Sequence, residues 1–265
     1  MKYLILACLF LYTTTLFSNN ILTFKPLTAN VFEPRIGSFY NLNDNNFRLD
    51  IGASFDFVKI NENSPNEMSI GADFFTYTRL RSENNFKFPV ETSDYFFGLN
   101  YSANLNLFDE QFQTRVRLAH ISSHLVDGYS ENGIFFKMPF VYSREFFDIT
   151  LAKYFDYSES NYIRPYIGTK VVFSTQPDDV SIFQGQVGFD LLHKINNFAE
   201  ISAGLNLANG EDMLNTSSQI GFNIKFIKNV GLFLGYYYYN GNSMHGMFYK
   251  EKDNYSAIGF QIIYQ

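Results

Sequence analysis

The sequence predicts an all-β chain: a transmembrane, antiparallel, up-and-down β-barrel of about twelve strands. Three observations carry this. Hydrophobic residues make up 46% of the 265-residue chain, yet mean hydropathy is only −0.13, so apolar and polar residues are finely interleaved. Half-exposed strands require such interleaving. Past residue 18, no apolar run approaches the ~20 residues that a membrane-spanning helix needs. Short alternating segments, separated by turn-rich stretches, recur to the end of the chain.

Residues 1–18 form a separate unit. Lys2 precedes a short apolar run, Tyr3 to Tyr12, and a Thr- and Ser-containing stretch follows up to Ser18. This reads as a secretory signal peptide, leaving 19–265 as the barrel. Cys8 is the only cysteine. A mature chain would therefore carry no disulfide, thiolate metal site or cysteine nucleophile. The formal net charge of −6 gives no basic footprint for nucleic acid.

The expected strands are 31–40, 46–58, 66–80, 93–107, 111–125, 139–156, 162–174, 179–191, 197–208, 216–227, 229–240 and 254–264. Alternation is plain in three of them. Leu49, Ile51, Ala53, Phe55 and Phe57 oppose Arg48, Asp50, Gly52, Ser54 and Asp56. Tyr95, Phe97, Leu99 and Tyr101 oppose Gly98, Asn100 and Ser102, and Ile220, Phe222 and Ile224 oppose Gln219, Gly221 and Asn223. A soluble β-sandwich also alternates. Two features favour the barrel. Connections tend to alternate short and long, as periplasmic turns and extracellular loops do. The chain also closes on an aromatic-bearing strand, Ile258, Phe260, Ile262 and Tyr264 sharing one face, which resembles the signal read by the outer-membrane assembly machinery. The expected location is therefore the bacterial outer membrane.

The fifth and sixth strands carry the candidate chemistry. Residues two apart on a strand share a face. Phe112, Thr114, Val116, Leu118, His120, Ser122 and His124 then form one face, and Arg115 and Arg117 the other. Charge facing lipid at mid-membrane costs ~2–4 kcal/mol, so the arginines belong in the lumen and His120 and Ser122 point outward. From Phe112 to His120 is roughly 20 Å of height at ~3.3 Å per residue and a tilt near ~40°, which ends a ~25 Å apolar band close to His120. On the sixth strand Ser143, Glu145, Phe147 and Ile149 share the outward face. Placing His120 opposite Glu145 matches Leu118 to Phe147 and Val116 to Ile149. Ser122, His120 and Glu145 are then nucleophile, base and orienter. Inside, Arg115, Arg117, Arg144, Asp148, Arg164 and Lys170 form a lumenal charge network, with Asp50, Asp56 and Asp73 as its expected partners.

His-x-Ser on an outward strand resembles outer-membrane phospholipase A and the outer-membrane lipid A 3-O-deacylase. That resemblance implies acyl-ester hydrolysis at the outer lipid boundary, with His120 the base, Ser122 the nucleophile and Glu145 the orienter. It also implies a possible Ca²⁺ requirement and a homodimer. The phospholipase carries a glycine two residues after its serine, where this chain has His124. A longer resemblance, through Pro26-Leu27-Thr28-Ala29, Glu33-Pro34-Arg35, Arg117 to His124 and Tyr142-Ser143-Arg144-Glu145, is to the bacterial barrel family known as domain of unknown function 1207.

Other readings stay open at this point. His120 and Ser122 can be interfacial polar residues with no chemistry. His120 and His124 with Asp127 are weak metal candidates, because two imidazoles lack a clear third ligand. The whole chain can be a small porin or structural barrel, or an adhesin acting through 126–138 and 241–253. Outer-membrane lipids are the expected substrates of the enzymatic reading.

Overall fold

The computed structural model describes residues 22–158, 161–227 and 230–264. The expected signal peptide, 1–18, lies outside them. The strands are β1 (Ile36–Asn41), β2 (Asn46–Ile60), β3 (Met68–Arg81), β4 (Val90–Leu107), β5 (Glu110–Leu125), a small hairpin of β6 (Ser130–Glu131) and β7 (Ile134–Phe135), β8 (Tyr142–Ala152), β9 (Phe155–Ser158), β10 (Asn161–Gln176), β11 (Phe183–Lys194), β12 (Ala199–Asn209), β13 (Leu214–Ile227), β14 (Val230–Asn242) and β15 (Lys252–Tyr264). Every neighbouring pair is antiparallel; β1 pairs with β15 and β10 with β11, which closes the sheet into a barrel. β8 and β9 both lie along β10 and make one interrupted strand, so the wall counts twelve.

The interruption at Lys153 and Tyr154 has a local cause. Pro165 of β10 stands opposite it, and proline cannot donate to a ladder. Register in the part of the wall that matters most begins at Phe108 and Asp109. Both adopt left-handed backbone, with φ of 55° and 63°, and form a two-residue turn between β4 and β5. Such primed turns match the right-handed twist of a hairpin.

The expected faces hold. Ile51, Ile70, Phe74, Phe97, Leu99, Leu118, Phe147, Ile149, Ile167, Val187, Ile220, Phe222, Leu234, Ile258 and Phe260 are exposed on the outside. An apolar belt of this extent is what lipid covers and water does not tolerate. Asp50, Asp73, Arg115, Arg117, Arg144, Asp148 and Arg164 are buried inside.

The first expected strand is half wrong. Wall pairing starts at Ile36, not at residue 31. Residues 22–35 instead run through the lumen as a strap. Pro34 has no N–H for a ladder, and the lumen offers better partners. Arg115 grips Glu33 with two bonds, Nη1 to Oε2 at 2.9 Å and Nη2 to Oε1 at 2.5 Å. Arg164 donates to the carbonyls of Lys25 and Pro26, both at 3.0 Å. Asp190 accepts from the Thr28 amide at 2.9 Å, and Arg48 donates to the Val31 carbonyl at 3.0 Å.

The charge network is therefore real, but its partners differ in part from those expected. Asp50 takes Arg48, and Arg117 takes Asp148 at 2.8 Å and Asp73 at 3.5 Å. Asp56 serves the strap, accepting from the Thr23 amide at 2.8 Å. The remaining arginines use Glu33, Asp190 and Glu211, which the expected set omitted. Lys170 sits over the rings of Phe32 and Phe146, 4.7 Å from each.

The loop after β14 also folds inward. His245, Met247 and Phe248 are buried in the long-loop mouth. Asp94 holds them there, pairing with His245 Nδ1 at 2.7 Å and accepting from the Gly246 amide at 2.8 Å, while Ser123 Oγ accepts from the Met247 amide at 3.1 Å. The region 241–253 is thus no free surface loop.

Candidate active site on the outer face of β5 and β8

The β5–β8 ladder pairs Val116 with Ile149, Leu118 with Phe147, His120 with Glu145 and Ser122 with Ser143. This is the register that matching apolar to apolar requires. His120, Ser122, Ser143 and Glu145 are half-buried on the outer face, directly beyond the exposed Leu118 and Phe147. His120 Nδ1 and Glu145 Oε1 are 2.8 Å apart. An ionised Glu145 accepts here, which fixes the proton on Nδ1 and leaves Nε2 as the basic nitrogen.

Sequence reasoning missed a second partner of the carboxylate. Ser143 Oγ donates to Glu145 Oε1 at 2.8 Å. The signal was its place two residues before Glu145, on the same face. Across the β8–β10 bulge Ser174 stands opposite Glu145. Phe97 of β4 faces His120 from the other side, with ring centroids 6.3 Å apart. The imidazole thus lies between a carboxylate and an aromatic ring.

Ser122 is on the same face as His120, but among the described residues its hydroxyl makes no hydrogen bond to the imidazole. The structure therefore brings His120 and Glu145 together and places Ser122 on their face without a bond to either. His124 is exposed and packs edge-on to Tyr95, with centroids 5.8 Å apart. Asp127 begins a short 3-10 turn in the following loop.

Among the described residues no three His, Cys, Asp or Glu side chains gather as a metal site. Ca²⁺ takes 6–8 oxygens, largely carboxylate and carbonyl. Beside Ser122 the strands offer the Glu145 carboxylate, which is already bonded to His120 and Ser143. Within one chain this donor set does not fit calcium.

Residues 13–265 match the family described as a protein of unknown function, DUF1207. The chain belongs to that family. No curated protein matches it in sequence. Among solved structures, outer membrane phospholipase A from Escherichia coli is 12% identical, with a TM-score of 0.52 over 93% of each chain. A NanC porin is 9% identical, with a TM-score of 0.52 over 87% of this chain and 98% of that one. The transport unit of the autotransporter AIDA-I from Escherichia coli is 11% identical, with a TM-score of 0.51 over 96% and 97%. At such identities the likeness is one of fold. This DUF1207 barrel shares its architecture with bacterial outer-membrane barrels, and a phospholipase, a porin and a transport unit on one fold mean that the site must decide function.

Proposed function

We propose that the chain is exported by residues 1–18, is assembled into the bacterial outer membrane by the assembly machinery there, and hydrolyses acyl esters of outer-leaflet lipids. The observation that carries this reading is the His120–Glu145 bond on the outer face, at the edge of the apolar belt. A carboxylate on Nδ1 with Nε2 left basic is the arrangement of a general base that activates a serine hydroxyl. Ser122 is the nucleophile. Its side chain turns to His120 Nε2 when substrate binds, since catalytic hydrogen bonds are often unformed without substrate. Oγ attacks the ester carbonyl carbon, its proton moves to Nε2, and the departing alcohol takes that proton. Water then cleaves the acyl-serine by the same route in reverse. Substrate arrives sideways through the bilayer, so the lumen plays no part.

The filled lumen supports this division of labour. Among the described residues, two cavities between strap, loop and wall are about 30 and 40 Å³, room for a few waters each. The test is mass spectrometry of lipid products from the purified barrel in mixed micelles of phospholipid or lipid A. Ser122→Ala and His120→Ala remove fatty-acid release. Glu145→Gln lowers kcat by about 10²–10⁴ with little change in KM. Absence of any product from the wild-type barrel with either lipid refutes the reading. The two substrate arms also decide between phospholipid and lipid A.

A further inference from the structure

One surface is left unaccounted for by the barrel and its site. Between Glu131 and Arg144 the chain reads Asn-Gly-Ile-Phe-Phe-Lys-Met-Pro-Phe-Val-Tyr-Ser, with Lys137 its single charge. Ile134 is 74% exposed, Phe136 57%, Met138 83% and Val141 65%. These residues join β5, which carries His120 and Ser122, to β8, which carries Glu145. Val141 lies two residues before Ser143, in the outward phase of that strand.

The segment is held from behind. Asn132 and Gly133, with φ of 52° and 79°, turn the β6–β7 hairpin tightly. Phe136 donates its amide to the Tyr129 carbonyl at 3.1 Å and stacks edge-on to the Tyr129 ring. Tyr129 in turn packs on the buried Phe248. Lys137 reaches back to Glu251 at 3.0 Å. The inner side is thus fastened to the filled mouth, and the apolar side chains remain exposed. In water every Å² of such surface costs about 25 cal/mol, and a patch of this kind marks a binding surface.

We propose that the segment Ile134–Val141 is a lipid-inserting lip, whose partner is the lipid leaflet around the barrel. The position argues for lipid over a protein partner. The polar group His120, Ser122, Ser143 and Glu145 has exposed apolar surface on both sides along the chain: Leu118 and Phe147 on one side, and on the other Val141, with Met138 exposed in the loop that leads to it. Lipid that covers the belt and the lip surrounds the site, so an ester linkage is held level with Ser122. The lip thereby favours a membrane-resident lipid over a dissolved ester by lowering the KM for the lipid. The inference rests on the reading of a membrane-facing hydrolase, but its first test does not.

In a Cys8→Ser background, Met138→Cys, Leu99→Cys and Glu131→Cys are labelled singly with an environment-sensitive fluorophore, and the folded barrels are placed in phosphatidylcholine vesicles. Brominated acyl chains should quench the label at Met138 to an extent comparable with Leu99 in the belt. Aqueous iodide should quench it several-fold less than at Glu131 on the same loop. A Met138 label that iodide reaches as readily as it reaches Glu131 overturns the proposal and leaves the patch to a protein partner. The second test uses hydrolysis. Phe136→Asp with Met138→Asp raises KM for vesicle lipid several-fold and leaves kcat for a short-chain soluble ester unchanged; equal losses on both substrates overturn the substrate role. If no hydrolysis exists, quenching still reports on the lip, so the two ideas fail separately.

Discussion

Glu33→Ala tests the lumenal strap. In the structure Glu33 is bound twice by Arg115, and the two side chains are 1% and 2% exposed. Arg115 also lies 4.7 Å over the Phe24 ring, so the strap covers it from two sides. Removing one partner of a buried pair costs about 3–5 kcal/mol, because the other charge is left uncompensated. That figure has a ceiling. A strap that detaches admits water to Arg115, so the loss cannot exceed the free energy with which the strap is docked. The remaining anchors, Arg164 on the carbonyls of Lys25 and Pro26 and Asp190 on the Thr28 amide, keep that ceiling high. The expected loss is therefore ~3 kcal/mol in urea unfolding from detergent micelles. The chain has no Trp and 19 Tyr, so tyrosine fluorescence and circular dichroism are the probes. Arg115→Met alone should cost a similar amount, and the double variant should cost less than the sum. A loss under ~1 kcal/mol, the range of exposed ion pairs, or strict additivity refutes the burial of this pair and returns residues 31–35 to the wall.

Two shorter predictions follow from the faces. Val116→Arg puts a charge on the outward face at mid-height of the belt, opposite Ile149, and should cost ~2–4 kcal/mol in a bilayer, whereas Arg115 and Arg117 on either side of it are native to the inside; a neutral effect would mean that the face is not lipid-covered. Because strap and inward loop fill the lumen, the barrel should show no steady conductance in planar bilayers, and sustained open channels from the wild-type chain would show that the interior is not packed as described.

The wall was legible because period-two alternation is a strong signal when one side meets lipid and the other a polar interior. It placed Leu49 and Phe57 outside and Asp50 and Asp56 inside, and the structure agrees. The β5–β8 register was legible for the same reason: only one offset pairs Leu118 with Phe147 and keeps His120 beside Glu145. What stayed hidden was chain that leaves the wall. Val31 to Arg35 carries enough apolar residues to pass for strand, and nothing local says that Glu33 will find Arg115, 82 residues on. Likewise Met244 to Phe248 looks like any loop. Its burial depends on Asp94 and Ser123, partners on strands more than a hundred residues earlier. Turn residues report where a strand ends, not whether the next segment turns outward or inward.

The two faces of β5 are not independent, and this bears on the site. Arg117 and Asp148 are directly opposed in the β5–β8 ladder and bonded at 2.8 Å inside the lumen. Three residues further along β5, on the other face, stands His120 opposite Glu145. A slip of one residue between the strands would turn the carboxylate to the wrong side of the sheet. The buried pair opposes that slip, since moving Arg117 away from Asp148 strands both charges in a dry interior. The inside ion pair thus holds the outside hydrogen bond. Arg117→Met should loosen it while the barrel remains closed through its other ladders. With only four histidines in the chain, nitrogen-labelled histidine NMR can follow His120 alone. The Nδ1 resonance should shift and broaden in Arg117→Met, and remain in place in Arg164→Met, whose pair with Asp190 lies at the opposite end of β10 from Ser174, the residue facing Glu145. An unchanged His120 signal in Arg117→Met would mean that the aromatic and aliphatic pairs below it, Leu118 with Phe147 and Val116 with Ile149, set the register without help from the lumen.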